Sequence, residues 1–275
     1  MKHGTMILAA VSVVLLSAVI AAAQDAPINK EQFEKQLGEW LPGMGKEKIP
    51  ERRDSQQKLQ EVCFKVGAPG REKDRAVVCE VLAEALGTDM PGPTRIWLLK
   101  QLQYTGRDEC VDAVAKSLGD KDDHVRDAAR RALANIPVKR ANDALLDRLS
   151  ASQGKFRVGL INALGYRADP ASVGPIAKLL GDKDQATAAA AANALGKIAN
   201  ADATKALGAA LPKAPKALKG PFADAYLRCA DKMLKEGKTK DAAAIYNQLS
   251  GDGYPKAVRL AALQGKLNAA RGKNK

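Results

Sequence analysis

Residues 118–149 read LGDKDDHVRDAARRALANIPVKRANDALLDRL, and this stretch carries the clearest structural signal in the chain. Its apolar positions return every 31 residues between residues 89 and 211. Three columns share that spacing: Leu102, Leu133, Leu164 and Leu195; Leu118, Leu149, Leu180 and Leu211; and Val114, Leu145, Ile176 and Leu207. A fixed period of this length is typical of a solenoid built from one repeated unit.

Each unit is predicted to be a pair of helices. Before Pro137, apolar side chains recur at three- and four-residue steps on one helical face: Val125, Ala128, Ala129, Ala132, Leu133 and Ile136. A second stripe follows the proline at Ala141, Ala144, Leu145 and Leu149. Because neither helix can bury its stripe alone, neighbouring units must stack around one core. The sequence therefore predicts an all-α solenoid, a right-handed superhelix of about six stacked antiparallel helix pairs without strands.

The first 23 residues have the composition of a secretory signal peptide. A run of apolar and small residues extends from Met6 to Ala23, and Ala21-Ala22-Ala23 supplies a small-residue cleavage pattern before Gln24. We therefore expect export to the periplasm or the medium, with cleavage near Ala23–Gln24. The alternative is an uncleaved anchor, since an apolar run of this length can nearly span a bilayer.

The rest of the chain divides into three parts. Residues 24–54 are predicted to hold a capping helix, with Phe33, Leu37 and Trp40 at helical spacing, and then a charged linker around Pro50. An exposed helix that docks a partner is the alternative. Residues 55–211 carry the repeats. Residues 212–275 break the rhythm and are expected to form a divergent helix pair that leans towards a tetratricopeptide pattern, a final helix and a disordered basic tail at 271–275.

A family resemblance rests on the motif Gly119-Asp120-Lys121-Asp122, followed by Val125-Arg126 and Ala132-Leu133. A second copy begins two periods later, at Gly181-Asp182-Lys183-Asp184. The unit resembles a HEAT repeat over roughly residues 55–249. Its period is similar to the HEAT-like units of phycobilisome lyases, and shorter than eukaryotic units of about 40–47 residues.

The resemblance implies a polar ladder between repeats. In the family, an Asp before the second helix of a unit and an Arg early in that helix tie neighbouring units together. The corresponding residues here are Asp89, Arg95, Asp120, Arg126, Arg157 and Asp182. Ala151 stands where Arg157 would have its Asp, and Ala188 stands where Asp182 would have its Arg. These two departures predict looser ties around the third and fourth units.

No constellation for catalysis or cofactor binding is found. His124 is the one histidine beyond residue 23, and neither zinc nor haem spacing nor a phosphate-binding glycine pattern occurs. HEAT-fold hydroxylases carry His-Glu pairs for iron, and this chain has none. We predict a non-enzymatic protein without cofactor or metal. The alternative is a lyase-like enzyme using carboxylates in the groove, although such lyases are cytoplasmic and this chain carries a signal segment.

The four cysteines form an even set, as expected in an oxidising compartment. Cys63 and Cys79 are predicted to lie on facing helices, and they are our candidate disulfide. Cys79 and Cys110 are one period apart and could pair instead. In the third alternative, all the cysteines are buried free thiols.

The chain is strongly basic, with a formal charge of +13. In a HEAT array the second helices line the concave face, and the cations predicted to project into this groove are Lys100, Arg130, Arg131, Lys155 and Arg167. We predict a scaffold that binds another protein, of acidic character, along that face. An anionic glycan or a membrane surface is the alternative ligand, and export makes nucleic acid the least favoured. The basic residues could also form only a solvated surface.

Overall fold

The computed structural model describes residues 26–272, so the predicted signal segment, its cleavage point and residues 273–275 lie outside the described part. Fourteen α-helices occupy this range: α1 Lys30–Met44, α2 Ile49–Val66, α3 Glu72–Leu86, α4 Gly92–Thr105, α5 Val111–Ser117, α6 Asp123–Asn135, α7 Lys139–Ser150, α8 Gly154–Arg167, α9 Val173–Ala177, α10 Gln185–Ile198, α11 Ala201–Ala210, α12 Lys219–Lys235, α13 Thr239–Leu249 and α14 Lys256–Gly272. Between residues 26 and 272 there is no strand, and no helix there is long and apolar enough to cross a bilayer.

The helices form two layers, which confirms the predicted all-α solenoid. The even-numbered helices α2 to α14 pack one upon the next, and they are the second helices of seven consecutive pairs. The odd-numbered helices are the first helices of those pairs and form the other layer, with direct contacts such as α1–α3, α3–α5 and α5–α7. The described residues thus hold one pair more than the sequence predicted.

The core lies between the two layers and consists of the predicted columns. Leu102, Leu133, Leu164 and Leu195 are all fully buried. The other two columns are also buried, Val114, Leu145, Ile176 and Leu207 completely. The repeat period of the sequence is therefore the period of the packing itself.

Small residues set the spacing of the second helices in the middle of the stack. A Cβ atom on Gly165 of α8 would lie 2.7 Å from the Cα atom of Ala194 on α10. One period later, a Cβ on Gly196 would lie 2.8 Å from the Cα of Ala225 on α12. No side chain larger than hydrogen fits at these two positions, and the backbones therefore approach closely.

The N-terminal end of the stack is covered by α1, which buries Phe33 and Leu37 and sets Phe33 edge-on to Trp40 at 6.4 Å. Our prediction of a linker around Pro50 is wrong, because α2 already begins at Ile49. Pro50 lies in the first turn of α2, where proline is tolerated because the N–H groups of that turn have no partner inside the helix.

The C-terminal region also differs from expectation. Two 3₁₀ turns, Leu211–Lys213 and Lys216–Leu218, occupy the break in the rhythm, and α12 then packs on α10 as the next second helix. The helical stack therefore continues past residue 212. Helix α14 extends to Gly272, so the first two residues of the predicted disordered tail are helical.

Candidate binding surface on the second helices

The predicted groove cations fall into two groups. Lys100 on α4 and Lys155 on α8 are exposed, and neither forms an ion pair within residues 26–272. The Nζ atom of Lys100 lies 4.7 Å from the ring centroid of Trp97, one helical turn earlier. Arg131 on α6 has a side chain that is 56 % exposed. We call Lys100, Arg131 and Lys155 the basic face.

Arg130 is less available than its neighbour. Its Nη2 and Nε atoms donate to Oδ1 of Asp127 at 2.7 and 3.0 Å, while Arg131 holds the other oxygen of that carboxylate at 3.1 Å. The Arg130 guanidinium also lies against Gly159 of α8, 3.2 Å from where a Cβ would be. Arg130 thus packs between two second helices and contributes little to the basic face.

Arg167 was predicted in the groove, and that prediction is wrong. Its Nη1 donates to the carbonyl oxygens of Leu133 and Ile136 at 2.6 Å each, and its Nη2 donates to Val138 at 2.7 Å. These carbonyls belong to the end of α6 and the turn after it. Those of Ile136 and Val138 also accept the backbone N–H groups of Val138 and Ala141, at 2.9 and 3.2 Å. Burial lowers the pKa of Arg167 from its usual value. The side chain therefore joins two repeats.

The polar ladder is present but has two rungs. Arg95 pairs with Asp120, and Nη1 of Arg157 lies 2.9 Å from Oδ2 of Asp182. In both cases the Arg of one second helix reaches the Asp in the loop before the next second helix. The same aspartates accept the backbone N–H two positions on, from Asp122 and Asp184, at 2.9 Å.

The remaining ladder residues depart from the prediction. Ala151 occupies the loop position that Arg126 would reach. Arg126 instead pairs with Asp123 of its own helix, donates to the main-chain carbonyl of Asp120 at 2.8 Å and stacks on Phe156, 5.6 Å from its ring centroid. Asp89 is exposed and has no side-chain partner in the described chain, because Phe64 stands where its Arg would be. Arg157 was expected to lack a tie, and its pairing with Asp182 overturns that expectation.

All four cysteines are free, so the predicted Cys63–Cys79 disulfide is absent. The Sγ of Cys79 instead donates to the carbonyl oxygen of Thr105 at 3.3 Å. Cys63 is buried nearby, and this burial raises its pKa to about 12. Within residues 26–272, no group of three or more His, Cys, Asp and Glu side chains could hold a metal ion.

The sequence argument missed three aromatic residues beside the basic face. Phe64 on α2 and Tyr104 on α4 are 86 % and 68 % exposed, and Trp97 lies half-buried between the same two helices. The sequence held a signal for Tyr104. This residue shares a repeat column with Asn135 and Tyr166, and that column is not one of the three buried columns. Exposed aromatic side chains in that column indicate a surface role.

The family profile described as HEAT repeats matches residues 79–156 and 142–226, which together exceed half of the chain. No curated protein matches the sequence. Among solved structures, an engineered protein is 19 % identical, with 86 % of this chain and 97 % of that chain covered and a TM-score of 0.38. The archaeal HEAT-like repeats protein from Thermococcus onnurineus NA1 is 15 % identical, with 90 % and 99 % covered and a TM-score of 0.41. At these scores the structural likenesses add nothing to the family match.

Proposed function

This chain belongs to the HEAT-repeat family. On that premise we propose that it is an exported, non-enzymatic scaffold that binds an acidic protein through its basic face. Stacked repeats expose extended surfaces, because each unit contacts only its neighbours. Those surfaces are suited to contact with another macromolecule.

One observation supports the choice of face and partner. The arginines beside it, Arg95, Arg130 and Arg157, are held in ion pairs within the fold, while Lys100 and Lys155 are exposed and have no carboxylate partner in the described chain. Arg131 is also exposed, although it shares the Asp127 carboxylate with Arg130. Exposed cations on one face create a positive potential that attracts acidic partners and accelerates their encounter.

The test is a charge reversal with a matched control. In the first variant Lys100, Arg131 and Lys155 become Glu. In the control, three exposed lysines become Glu: Lys116 on α5, Lys205 on α11, and Lys178 directly after α9. The net charge of both proteins therefore changes equally. With fluorescently labelled poly-glutamate as the probe, we expect the first variant to bind at least about tenfold more weakly, a change of about 1.4 kcal/mol.

Salt provides a second measurement. Exposed charges are screened beyond a Debye length of about 8 Å at physiological ionic strength, so binding should weaken steeply as salt rises. Equal losses in both triple variants would contradict a specific basic face. Binding to phosphatidylglycerol vesicles but not to poly-glutamate would point to the anionic-surface alternative and overturn the acidic-protein proposal.

Export is tested separately. Expression of the whole chain in a bacterial host, followed by fractionation and N-terminal sequencing, should yield a periplasmic or secreted protein that begins at or near Gln24. Membrane-bound protein that retains Met1 would contradict this part of the proposal and leave the basic face untouched.

A further inference from the structure

Three depressions join into one groove across the second helices α2, α4 and α6. The first, of about 700 Å³, lies between Gln57, Phe64 and Trp97. The central one, of about 330 Å³, is lined by Phe64, Lys100, Gln101 and Tyr104. The third, of about 310 Å³, continues past Lys100 and Tyr104 to Arg131 on α6. Shared residues link each depression to the next, and we call the whole the aromatic groove.

Exposed aromatic side chains give this groove a binding character. Phe64 is 86 % exposed, so nearly all of its apolar ring surface is in contact with water. It faces the same central depression as Tyr104, which is 68 % exposed. A partner's apolar side chain placed between the two rings would remove apolar surface from water at about 25 cal/mol per Å².

An unpaired amide lies at the centre of the groove. Gln101 is only 4 % exposed, lines the central depression, and its side-chain amide has no hydrogen-bond partner in the described chain. Its polar atoms are open to the solvent in this depression, where a ligand's peptide groups could replace water as their hydrogen-bond partners. Gln56, Gln60 and Gln103 along the groove also lack partners within residues 26–272. Each amide offers both a donor and an acceptor, as does each peptide group of an extended chain.

Charge selects the partner. The cations on the groove are Arg53, Lys100 and Arg131, and its one carboxylate is that of Glu61, which already accepts a hydrogen bond from Gln57 at 2.9 Å. Arg131 also pairs with Asp127, which does not line the groove and which it shares with Arg130. A segment that carries carboxylates complements this lining, and a basic segment does not.

We propose that the aromatic groove binds an extended acidic peptide segment of a partner protein, with an apolar side chain between Phe64 and Tyr104 and carboxylates at Lys100 and Arg131. This inference rests on the proposed function and specifies its site. Helices pack about 8–10 Å apart, so three second helices span about 20 Å. At about 3.3 Å per residue, roughly six residues of an extended chain cover that distance.

The molecule supplies its own control for the aromatic contact. Tyr166 on α8 occupies the same repeat position as Tyr104, two periods later, and is 64 % exposed. It lines none of the three depressions that form the aromatic groove. Tyr166→Ala therefore removes the same side chain at similar exposure without altering the groove.

The probe is a fluorescein-labelled peptide of alternating Glu and Leu, measured at neutral pH by anisotropy against the full chain. Peptides of alternating Glu and Ser, and of alternating Lys and Leu, are the comparison probes. We expect the Glu–Leu peptide to bind tightest. Phe64→Ala with Tyr104→Ala should weaken it about tenfold, a loss of about 1.4 kcal/mol, and Tyr166→Ala should not.

Gln101→Leu separates binding from folding. If the amide serves the ligand, this variant binds the Glu–Leu peptide more weakly while its melting temperature is nearly unchanged, since the amide forms no hydrogen bond within residues 26–272. Trp97 supplies an independent readout, because in a Trp40→Phe background it is the one remaining tryptophan and its emission should change when the groove fills.

The outcomes distinguish this inference from the proposed function. If the charge-reversed basic face loses poly-glutamate but Phe64→Ala with Tyr104→Ala leaves the Glu–Leu peptide unaffected, the aromatic groove proposal fails and the basic face remains. Equal affinity for the Glu–Leu and Glu–Ser peptides also overturns it. If Tyr166→Ala weakens binding as much as Tyr104→Ala, the contact is not at this groove.

Discussion

At the scale of single residues, the sequence could not distinguish a cation that binds a partner from one that holds the fold. Arg167 was predicted in the groove as a cation near the other basic residues. Its guanidinium instead donates to three carbonyls at the end of α6 and in the turn after it. Arg167→Met keeps the apolar stem and removes the charged donor from all three carbonyls, so we expect it to lower the free energy of unfolding by about 1.5–3 kcal/mol.

Lys155→Met is the matched control for that prediction. Lys155 is exposed without a partner in the described chain, and the same replacement there should change stability by less than about 0.5 kcal/mol. Urea titration monitored by circular dichroism measures both. Equal stability of the two variants would show that the Arg167 contacts contribute nothing.

The thiols give a second residue-scale prediction. Cys63 is buried, and its pKa is raised to about 12, so the reactive thiolate is scarce at any pH below that value. Native protein treated with iodoacetamide near neutral pH should therefore resist labelling. After denaturation without reductant, mass spectrometry should find four modified cysteines. Two modified cysteines would restore the disulfide that the structure lacks.

At the scale of elements, the ladder shows what a one-residue departure does. Arg95 and Arg157 each reach an Asp in the following loop, whereas Arg126 meets Ala151 and pairs within its own repeat, with Asp123, main-chain oxygens and Phe156. Ala151→Asp supplies the missing carboxylate at the same spacing. We expect it to stabilise the chain by about 0.5–1 kcal/mol, as measured by thermal unfolding at low salt.

Ala151→Asn tests whether charge is the cause, because the amide keeps the shape without the negative charge. The gain from Asp should shrink as salt is added, and Asn should show none. A gain of equal size from Asn would mean that the loop prefers a polar residue for local reasons.

The elements also show where sequence reasoning succeeds and where it stops. The leucine columns predicted the two layers because burial is periodic and each column lies at one height of the repeat. Pairing of polar side chains is not periodic in the same way: Asp89 and Asp120 occupy equivalent positions, but Phe64 leaves the first without an Arg. The aromatic groove could not be predicted from the sequence, because it forms only when three helices pack together. Phe64 and Tyr104 lie on different helices and share no repeat column.

At the scale of the whole molecule, stability should depend on the stack, because each repeat buries its apolar stripe only against its neighbours. Leu164 is fully buried in the α8 column, and Leu164→Ala would leave a cavity between repeats. Such changes cost about 2–5 kcal/mol. Leu260 on the outermost helix α14 is 56 % exposed, and the identical substitution there should cost less than about 0.5 kcal/mol.

Urea unfolding of both leucine variants separates burial from residue type. A shifted midpoint with an unchanged slope in Leu164→Ala would show that the chain still unfolds as one unit. A reduced slope would show that the chain no longer unfolds in a single cooperative transition, as expected for long arrays when one interface weakens.

Leu133→Ala in the neighbouring second helix should behave like Leu164→Ala, and the free-energy change of the double variant should depart from the sum of the two because α6 and α8 are in contact. Losses below about 0.5 kcal/mol for both buried leucines would contradict a continuous core through the stack.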